Sequence, residues 1–152
     1  KASHAFNNRK TNRTKVMYGK GGVAYVYLCY GIHQMFNIVT NIENVPHAIL
    51  IRGGEPVSGI EIMASRTNKK TTDTTLSRGP GNVCKALGIH TGHSGFALNS
   101  EEIFIYDDGV KIKDKNIGIS PRIGVDYSGE DALLPSRFYI KGNTYVSGKW
   151  RQ

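Results

Sequence analysis

Three tyrosines within six residues, Tyr25, Tyr27 and Tyr30, are the side chains whose type and spacing most plainly invite chemistry. A flat ring on a rigid support can stack on a nucleobase or fill the gap a departing base leaves, and such stacking is worth about 1–3 kcal/mol. The aromatic and β-branched run through Cys29, then Gly31 and the stretch Ile32 to Asn37, predicts strands at about 23–30 and 33–40 joined by a tight turn. The two-residue strand period puts Tyr25 and Tyr27 on one face and leaves Tyr30 at the turn, where it cannot reach a core. Lys plus Arg number 20 against 12 Asp plus Glu, a net charge of +8. That balance favours a polyanion through counterion release, with nucleic acid as the leading candidate.

Other chemistries fit less well. His90 and His93 are three apart but lie among Thr91, Gly92 and Gly95, with no third ligand on a firm helix, so neither metal nor cofactor is expected. Cys29 and Cys84 are too few and too far apart for a disulfide framework or zinc ribbon, and read as buried apolar thiols suited to a reducing cytosol. No Ser-His-Asp arrangement has a recognisable elbow, and no phosphate-cradling P-loop occurs. Gly79-Pro80-Gly81 at a helix start either receives a DNA phosphate on free N–H groups or only shapes the turn. Arg9, Lys10, Arg13, Lys15 and Lys20 crowd the approach to the tyrosine hairpin, while acids concentrate later, at Glu101, Glu102, Asp107, Asp108, Asp126, Glu130 and Asp131. A basic face beside the hairpin and an acidic rear are expected. The second basic cluster, Arg66, Lys69 and Lys70, reads equally as solvated loop charge.

The elements that must position these groups follow from pattern. Residues 1–21 read as loop with one short helical turn. Ala48 to Arg52 is a buried strand leaving the sheet. Pro56 opens a helix whose face is Val57, Ile60, Met63 and Ala64, residues 67–77 form a mobile loop, and a helix over 82–87 ends at Gly88. Short strands are expected at 102–106, 110–113, 117–125 and 137–141, with a hairpin turn at Asp108-Gly109. The 152 residues suit one domain with one core, read as α+β with a curved, mostly antiparallel sheet, a protruding β-hairpin and a few short helices. No apolar run approaches the roughly 18 residues that span a bilayer. No signal-peptide core follows Lys1, so no membrane association is expected.

Together, Ala2-Ser3-His4, Met17-Tyr18-Gly19, Tyr25 to Gly31, Asn37, Leu50-Ile51-Arg52, Arg78-Gly79-Pro80-Gly81 and Arg137-Phe138-Tyr139-Ile140 resemble the alkyladenine (3-methyladenine) DNA glycosylase family, in the family's order and nearly end to end. Such enzymes take a base out of the stack before attacking its bond to the sugar. The resemblance implies Tyr30 as the intercalating wedge, with Ile32 and His33 beside it. It implies His4 and Tyr27 as a wall of the base pocket, where electron-poor alkylated purines stack on electron-rich rings. The backbone N–H groups near Ala2 and His4 would read the base edge. Asn37 would crowd the purine N2 position and disfavour guanine. Arg52 and the Ile123 carbonyl would hold the nucleophilic water. Arg9, Lys10, Arg13, Lys15, Lys20, Gly79 and Gly81 would meet the DNA backbone.

One departure matters. The family's general-base glutamate lies in a Glu-Ala-Tyr segment shortly before the histidine, and this chain starts three residues before His4. The sequence therefore reads as a family domain, residues 1–152, without its N-terminal part, and full catalysis is not expected of it. The leading expectation is a monofunctional glycosylase without lyase activity, acting as a monomer on double-stranded DNA that carries 3-methyladenine, hypoxanthine or ethenoadenine. Its compartment would be cytoplasmic, with the nucleoid, if bacterial, and nuclear if eukaryotic. The alternatives are a catalytically silent lesion- or duplex-binding module and an RNA-binding accessory domain.

Overall fold

Alternating aromatic and aliphatic residues on either side of Gly31 fold back as β1 (Ala24–Cys29) and β2 (His33–Val39), antiparallel, with Tyr25 opposite Asn37 and Tyr27 opposite Met35. The structure is a computed structural model and describes residues 1–148. β3 (Ala48–Leu50) joins the free side of β2, giving the order β1-β2-β3. A second antiparallel pair, β4 (Ile117–Ser120) and β5 (Arg137–Ile140), stands apart from this sheet. Helices α1 (Ile60–Thr67) and α2 (Pro80–Leu87) pack together, and α2 also packs on β2. The expected α+β class and protruding hairpin are present, but the strands divide between two sheets.

The parity of β1 and β2 sends side chains to two cores. Ala24, Val26 and Phe36 bury with Cys84, Ile89 and Leu98. Tyr25 and Val39, on the opposite face, bury with Ala5, Met17 and Tyr18, so the N-terminal segment lies against the tyrosine face. Ala64, Leu76 and Ala86 form a third cluster between the helices. The hairpin tyrosines therefore divide by role. Tyr25 is a core residue, 2% exposed, Tyr27 is half-buried, and Tyr30 is 91% exposed.

Several expected boundaries move. Pro56 does not open the helix. α1 begins after Gly59, whose φ of +68 lies in the left-handed region. Residues 67–77 are pinned, not loose. Asp73 accepts from the Thr75 N–H at 2.8 Å and caps a 3-10 turn over Thr74–Leu76. Lys69 Nζ donates to the Thr75 carbonyl at 2.8 Å, and Leu76 is buried. The helix expected over 82–87 starts two residues earlier, at Pro80. The strands expected at 102–106 and 110–113 do not form, and a single bridge, Asn99 to Phe104, is all that pairs there among the described residues. Asp107 and Asp108 do make turn contacts, to the N–H groups of Gly109 and Val110, but no ladder flanks them. β4 ends at Ser120, well short of residue 125, because Pro121 has no N–H to continue a ladder. The N-terminal 21 residues hold two 3-10 turns, Phe6–Asn8 and Lys15–Tyr18.

On β4 and β5, Ile119 lies opposite Phe138 and Ile117 opposite Ile140, a row of apolar side chains on one face. Ile119 is 57% and Phe138 67% exposed. The other face carries Gly118, Ser120, Arg137 and Tyr139.

Candidate nucleic-acid interface

The hairpin tip is built on two consecutive left-handed residues, Tyr30 at φ +50 and Gly31 at φ +74, with the Ile32 N–H donating to the Cys29 carbonyl at 3.2 Å. Left-handed pairs of this kind match the twist of a tight hairpin. Glycine takes such a φ freely, whereas tyrosine does so under strain. Ile32 is 74% exposed and His33 is exposed as well, so the tip offers three neighbouring side chains to solvent.

Behind the tip, His4 meets the tyrosine face. Its ring stands edge-on to Tyr27 at a centroid distance of 4.4 Å, and its Nδ1 lies 2.9 Å from the Tyr25 hydroxyl. Burial, and then the Arg13 charge, hold His4 below the usual histidine range, so it is neutral near pH 7. Burial pushes Tyr25 up to about 12, which keeps its hydroxyl protonated. Tyr27 is raised by burial first, then by Cys29 and Tyr127, against the opposing charges of Arg13 and Arg52. Among the described residues the N–H groups of Ala2 and His4 have no hydrogen-bond partner. Asn37 is buried, and its Nδ2 donates to the carbonyls of Tyr25 and Met35, both at 3.1 Å.

Arg52 follows β3, and its carbonyl accepts from the Gly79 N–H at 2.9 Å. Its Nε is buried without a partner among the described residues. Burial lowers its pKa, the nearby charge of Arg137 lowers it further, and Tyr27 opposes the shift. Arginine remains protonated under such shifts. Arg137, itself buried, stacks over the Tyr139 ring at 4.6 Å, donates to Ser120 Oγ at 3.0 Å and donates to the Ser147 carbonyl. Ile123 and Arg137 both border Gly148. The rings of His4 and Tyr27 are thus in contact, Arg52 and Arg137 act on this region through their charge, and Ile123 and Arg137 approach the same glycine. Sequence reasoning passed over Arg137 as a site residue, although its motif was visible. Burial and the pairing of β4 with β5 place it, and no local pattern announces either. Among the described residues the charged groups acting on His4, Tyr25, Tyr27 and Arg52 are Arg13, Arg52 and Arg137, and no carboxylate is among them.

An open cleft of ≈ 230 Å³ lies beside the tip, lined by His33, Met35, Gly79, Pro80, Gly81 and Asn82. Gly81 permits this close approach, since a Cβ there would stand 3.1 Å from His33 Nδ1. Arg9, Lys10, Arg13, Lys15 and Lys20 are all exposed, and Lys10 Nζ lies 5.3 Å from the Tyr18 ring centroid. His90 and His93 stack on each other at 4.0 Å and cap a 3-10 turn. Among the described residues no group of three His, Cys, Asp or Glu side chains is placed to hold a metal. No helix there is long and apolar enough to cross a membrane.

An exposed ring at a hairpin tip, the His4–Tyr27 ring pair behind it and exposed N-terminal cations are features of a class of protein that meets nucleic acid. The sequence comparisons agree with that class. The methylpurine-DNA glycosylase family matches residues 1–144. A protein of Clostridium perfringens named "Putative 3-methyladenine DNA glycosylase" is 41% identical over 157 residues, covering 98% of this chain and 77% of that protein. Proteins of the same name from Alkaliphilus oremlandii and Methanocella arvoryzae are each 44% identical, over 98% and 97% of this chain and 76% and 72% of their own lengths. The chain belongs to the methylpurine-DNA glycosylase family.

Proposed function

We propose that this chain recognises alkylated or deaminated purines in double-stranded DNA, among them 3-methyladenine, hypoxanthine and ethenoadenine, by everting the damaged nucleotide. The supporting observation is the joint placement of an exposed Tyr30 at the hairpin tip and the His4–Tyr27 ring pair behind it. Tyr30, flanked by Ile32 and His33, fills the opened stack, and the cost of unstacking is a few kcal/mol per step. The everted base rests on Tyr27 and His4, with the N–H groups of Ala2 and His4 toward its edge. Asn37, its amide fixed by two backbone carbonyls, gives that wall a rigid boundary. Exposed Arg9, Lys10, Lys15 and Lys20, with the Gly79–Gly81 turn, meet phosphates.

In the reaction proposed for the family domain, water adds to C1′ as the bond from C1′ to the purine nitrogen breaks. The departing base takes the bonding pair, and the water's proton goes to a general base. Arg52 and the Ile123 carbonyl orient that water. No lysine is assigned to a Schiff base, so the sugar–phosphate strand stays intact. Proton removal typically contributes about 10²–10⁴-fold, and among the described residues no carboxylate acts on Tyr27 or Arg52. Excision by residues 1–152 is therefore expected to be slow, while lesion binding is retained.

The test uses duplexes carrying hypoxanthine or ethenoadenine, undamaged duplex and structured RNA. Lesion-selective binding with slow base release and no strand break supports the reading. Lesion-selective binding with no release at all leaves a silent lesion-binding module, and preference for RNA overturns the DNA reading. Release at the full rate of an intact family member would overturn the expectation of slow excision.

A further inference from the structure

Arg137 joins two stretches of chain that meet beside the candidate site. Its side chain is buried, and among the described residues no ion pair ties it to a carboxylate. One arm of the guanidinium donates to Ser120 Oγ at 3.0 Å, at the end of β4 and shortly before Ile123, and the other donates to the Ser147 carbonyl. Gly148 follows Ser147 and packs so closely on Ile123 that a Cβ there would overlap the Ile123 Cδ1 atom. The same segment, 143–148, also reaches the chain beside Arg52. The Tyr145 carbonyl oxygen occupies the space that a Cβ on Gly53 would need. Arg78, which bridges to Gly53, donates from Nη1 to the Thr144 carbonyl at 3.2 Å, and Asn143 Nδ2 donates to Glu55 Oε2 at 2.9 Å. Within the segment the Tyr145 N–H closes on Asn143 Oδ1 at 2.8 Å. Residues 143–148 are thus a strap that touches the neighbour of Arg52 near one end and Ile123 at the other, with Arg137 as a fastening.

We propose that Arg137 is a positioning residue for base excision: by fastening the 143–148 strap to the end of β4, it sets the separation of Arg52 from the Ile123 carbonyl. The proposal rests on the water-holding roles given to those two groups above, and it adds a residue that touches neither water nor base. Neutral groups would join two backbone segments at a lower desolvation cost than a buried charge. A guanidinium instead reaches two acceptors at once from a rigid planar fork, which fixes direction as well as distance. Such rigidity suits positioning, because a misplacement of about 1 Å at a reacting centre costs about 100-fold in rate. Lesion binding draws chiefly on Tyr30, Tyr27 and His4, which lie on other segments, so the two effects are separable.

The test is single-turnover base release from a hypoxanthine duplex, with protein in excess, measured beside the Kd for the same duplex. Arg137→Gln should slow release by up to about 100-fold and raise Kd by a much smaller factor. Arg137→Lys keeps the charge but reaches one acceptor at a time, so its rate should fall between that variant and wild type. Gly148→Ala displaces Ile123 while sparing Arg137, and should slow release in the same selective way. Combined with Arg137→Gln it should add less than its separate effect, since both act through one strap. Leu98→Ala, which opens a cavity in the first core, should lower the denaturant midpoint and leave the release rate of the folded protein unchanged. Should Arg137→Gln fail to fold, Arg137→Lys and Gly148→Ala carry the same comparison. Equal changes in rate and Kd, an unchanged rate, full additivity of the pair or a comparable slowing by Leu98→Ala would each overturn the positioning role while leaving the lesion reading intact. A wild-type chain that binds the lesion selectively yet releases no base would overturn it as well, because no water is then being positioned. A wild-type chain that does not distinguish lesion from undamaged duplex would remove the lesion reading, and the role of Arg137 with it.

Discussion

At Tyr30 a non-glycine residue holds φ +50, a conformation that costs an L-residue about 1–2 kcal/mol, on a side chain 91% exposed. Among the described residues the Tyr30 side chain makes no hydrogen bond or ring contact to offset that strain, a pattern typical of sites where conformation serves binding. Tyr30→Gly should therefore raise stability by roughly 1 kcal/mol in denaturant unfolding. It should weaken binding of a duplex lesion more than binding of the same lesion unpaired, because a wedge matters only where a stack must be opened. Equal loss on both substrates would make Tyr30 a general contact. His4 gives a pH signature. Its folded pKa is lowered by burial and by Arg13, so the unfolded chain binds the proton more readily. Stability should fall as pH drops below about 6.5 toward the folded value, then level off. Unfolding free energies of His4→Gln measured over that window should show a shallower slope than wild type. At this scale strand parity made the shared face of Tyr25 and Tyr27 legible, and Gly31 made Tyr30's exposure legible. What parity cannot say is which tyrosine the core takes. That was settled by Ala5, Met17 and Tyr18 folding over Tyr25 from a segment that reads as loop.

Among the elements, the hairpin was the easiest to read, since period-two alternation and a glycine at the turn are local signals. The start of α1 was harder, because proline permits a helix start without requiring one, and the chain instead enters from left-handed Gly59. Residues 103–106 form an apolar, aromatic and β-branched run and 110–113 alternate apolar and polar, both as strands do, yet a ladder needs a neighbour, and sequence does not disclose whether one is in place. Tertiary partners also decide the stretch after β3. Gly53 bridges to Arg78, and a Cβ on Gly53 would lie 2.5 Å from the Tyr145 carbonyl oxygen. Gly53→Ala must push the 143–147 segment away and with it the Ser147 carbonyl that Arg137 holds. Overpacking of this kind costs about 1–3 kcal/mol. The expected result is a lowered denaturant midpoint together with weakened lesion binding, from the loosening of Arg52's surroundings. An unchanged midpoint would show that the 143–147 segment yields freely.

For the whole molecule, the net charge of +8 and the exposed N-terminal cations set the response to salt. Each phosphate neutralised on B-DNA contributes about −0.9 to the log–log slope of affinity against salt. The double substitution Lys15→Ala, Lys20→Ala should flatten the slope measured on undamaged duplex by up to about 1.8. An unchanged slope would move the DNA face toward the Arg66 to Lys70 region. Composition made the polyanion preference legible, but the packing of the N-terminal segment onto the tyrosine face depends on tertiary contacts and lay beyond any linear pattern. The apolar row on β4 and β5 gives the same charge a second consequence. Ile119 and Phe138 face outward on a two-stranded ribbon, the kind of surface on which copies of a protein adhere to one another. Mutual repulsion between like-charged molecules opposes that adhesion in dilute buffer, and added electrolyte shortens its range to about 8 Å at physiological strength. The ionic strength that frees the protein from DNA thus also lets its greasy ribbons approach, so the colloidal behaviour of the protein and its grip on nucleic acid are governed by one variable acting in opposite senses.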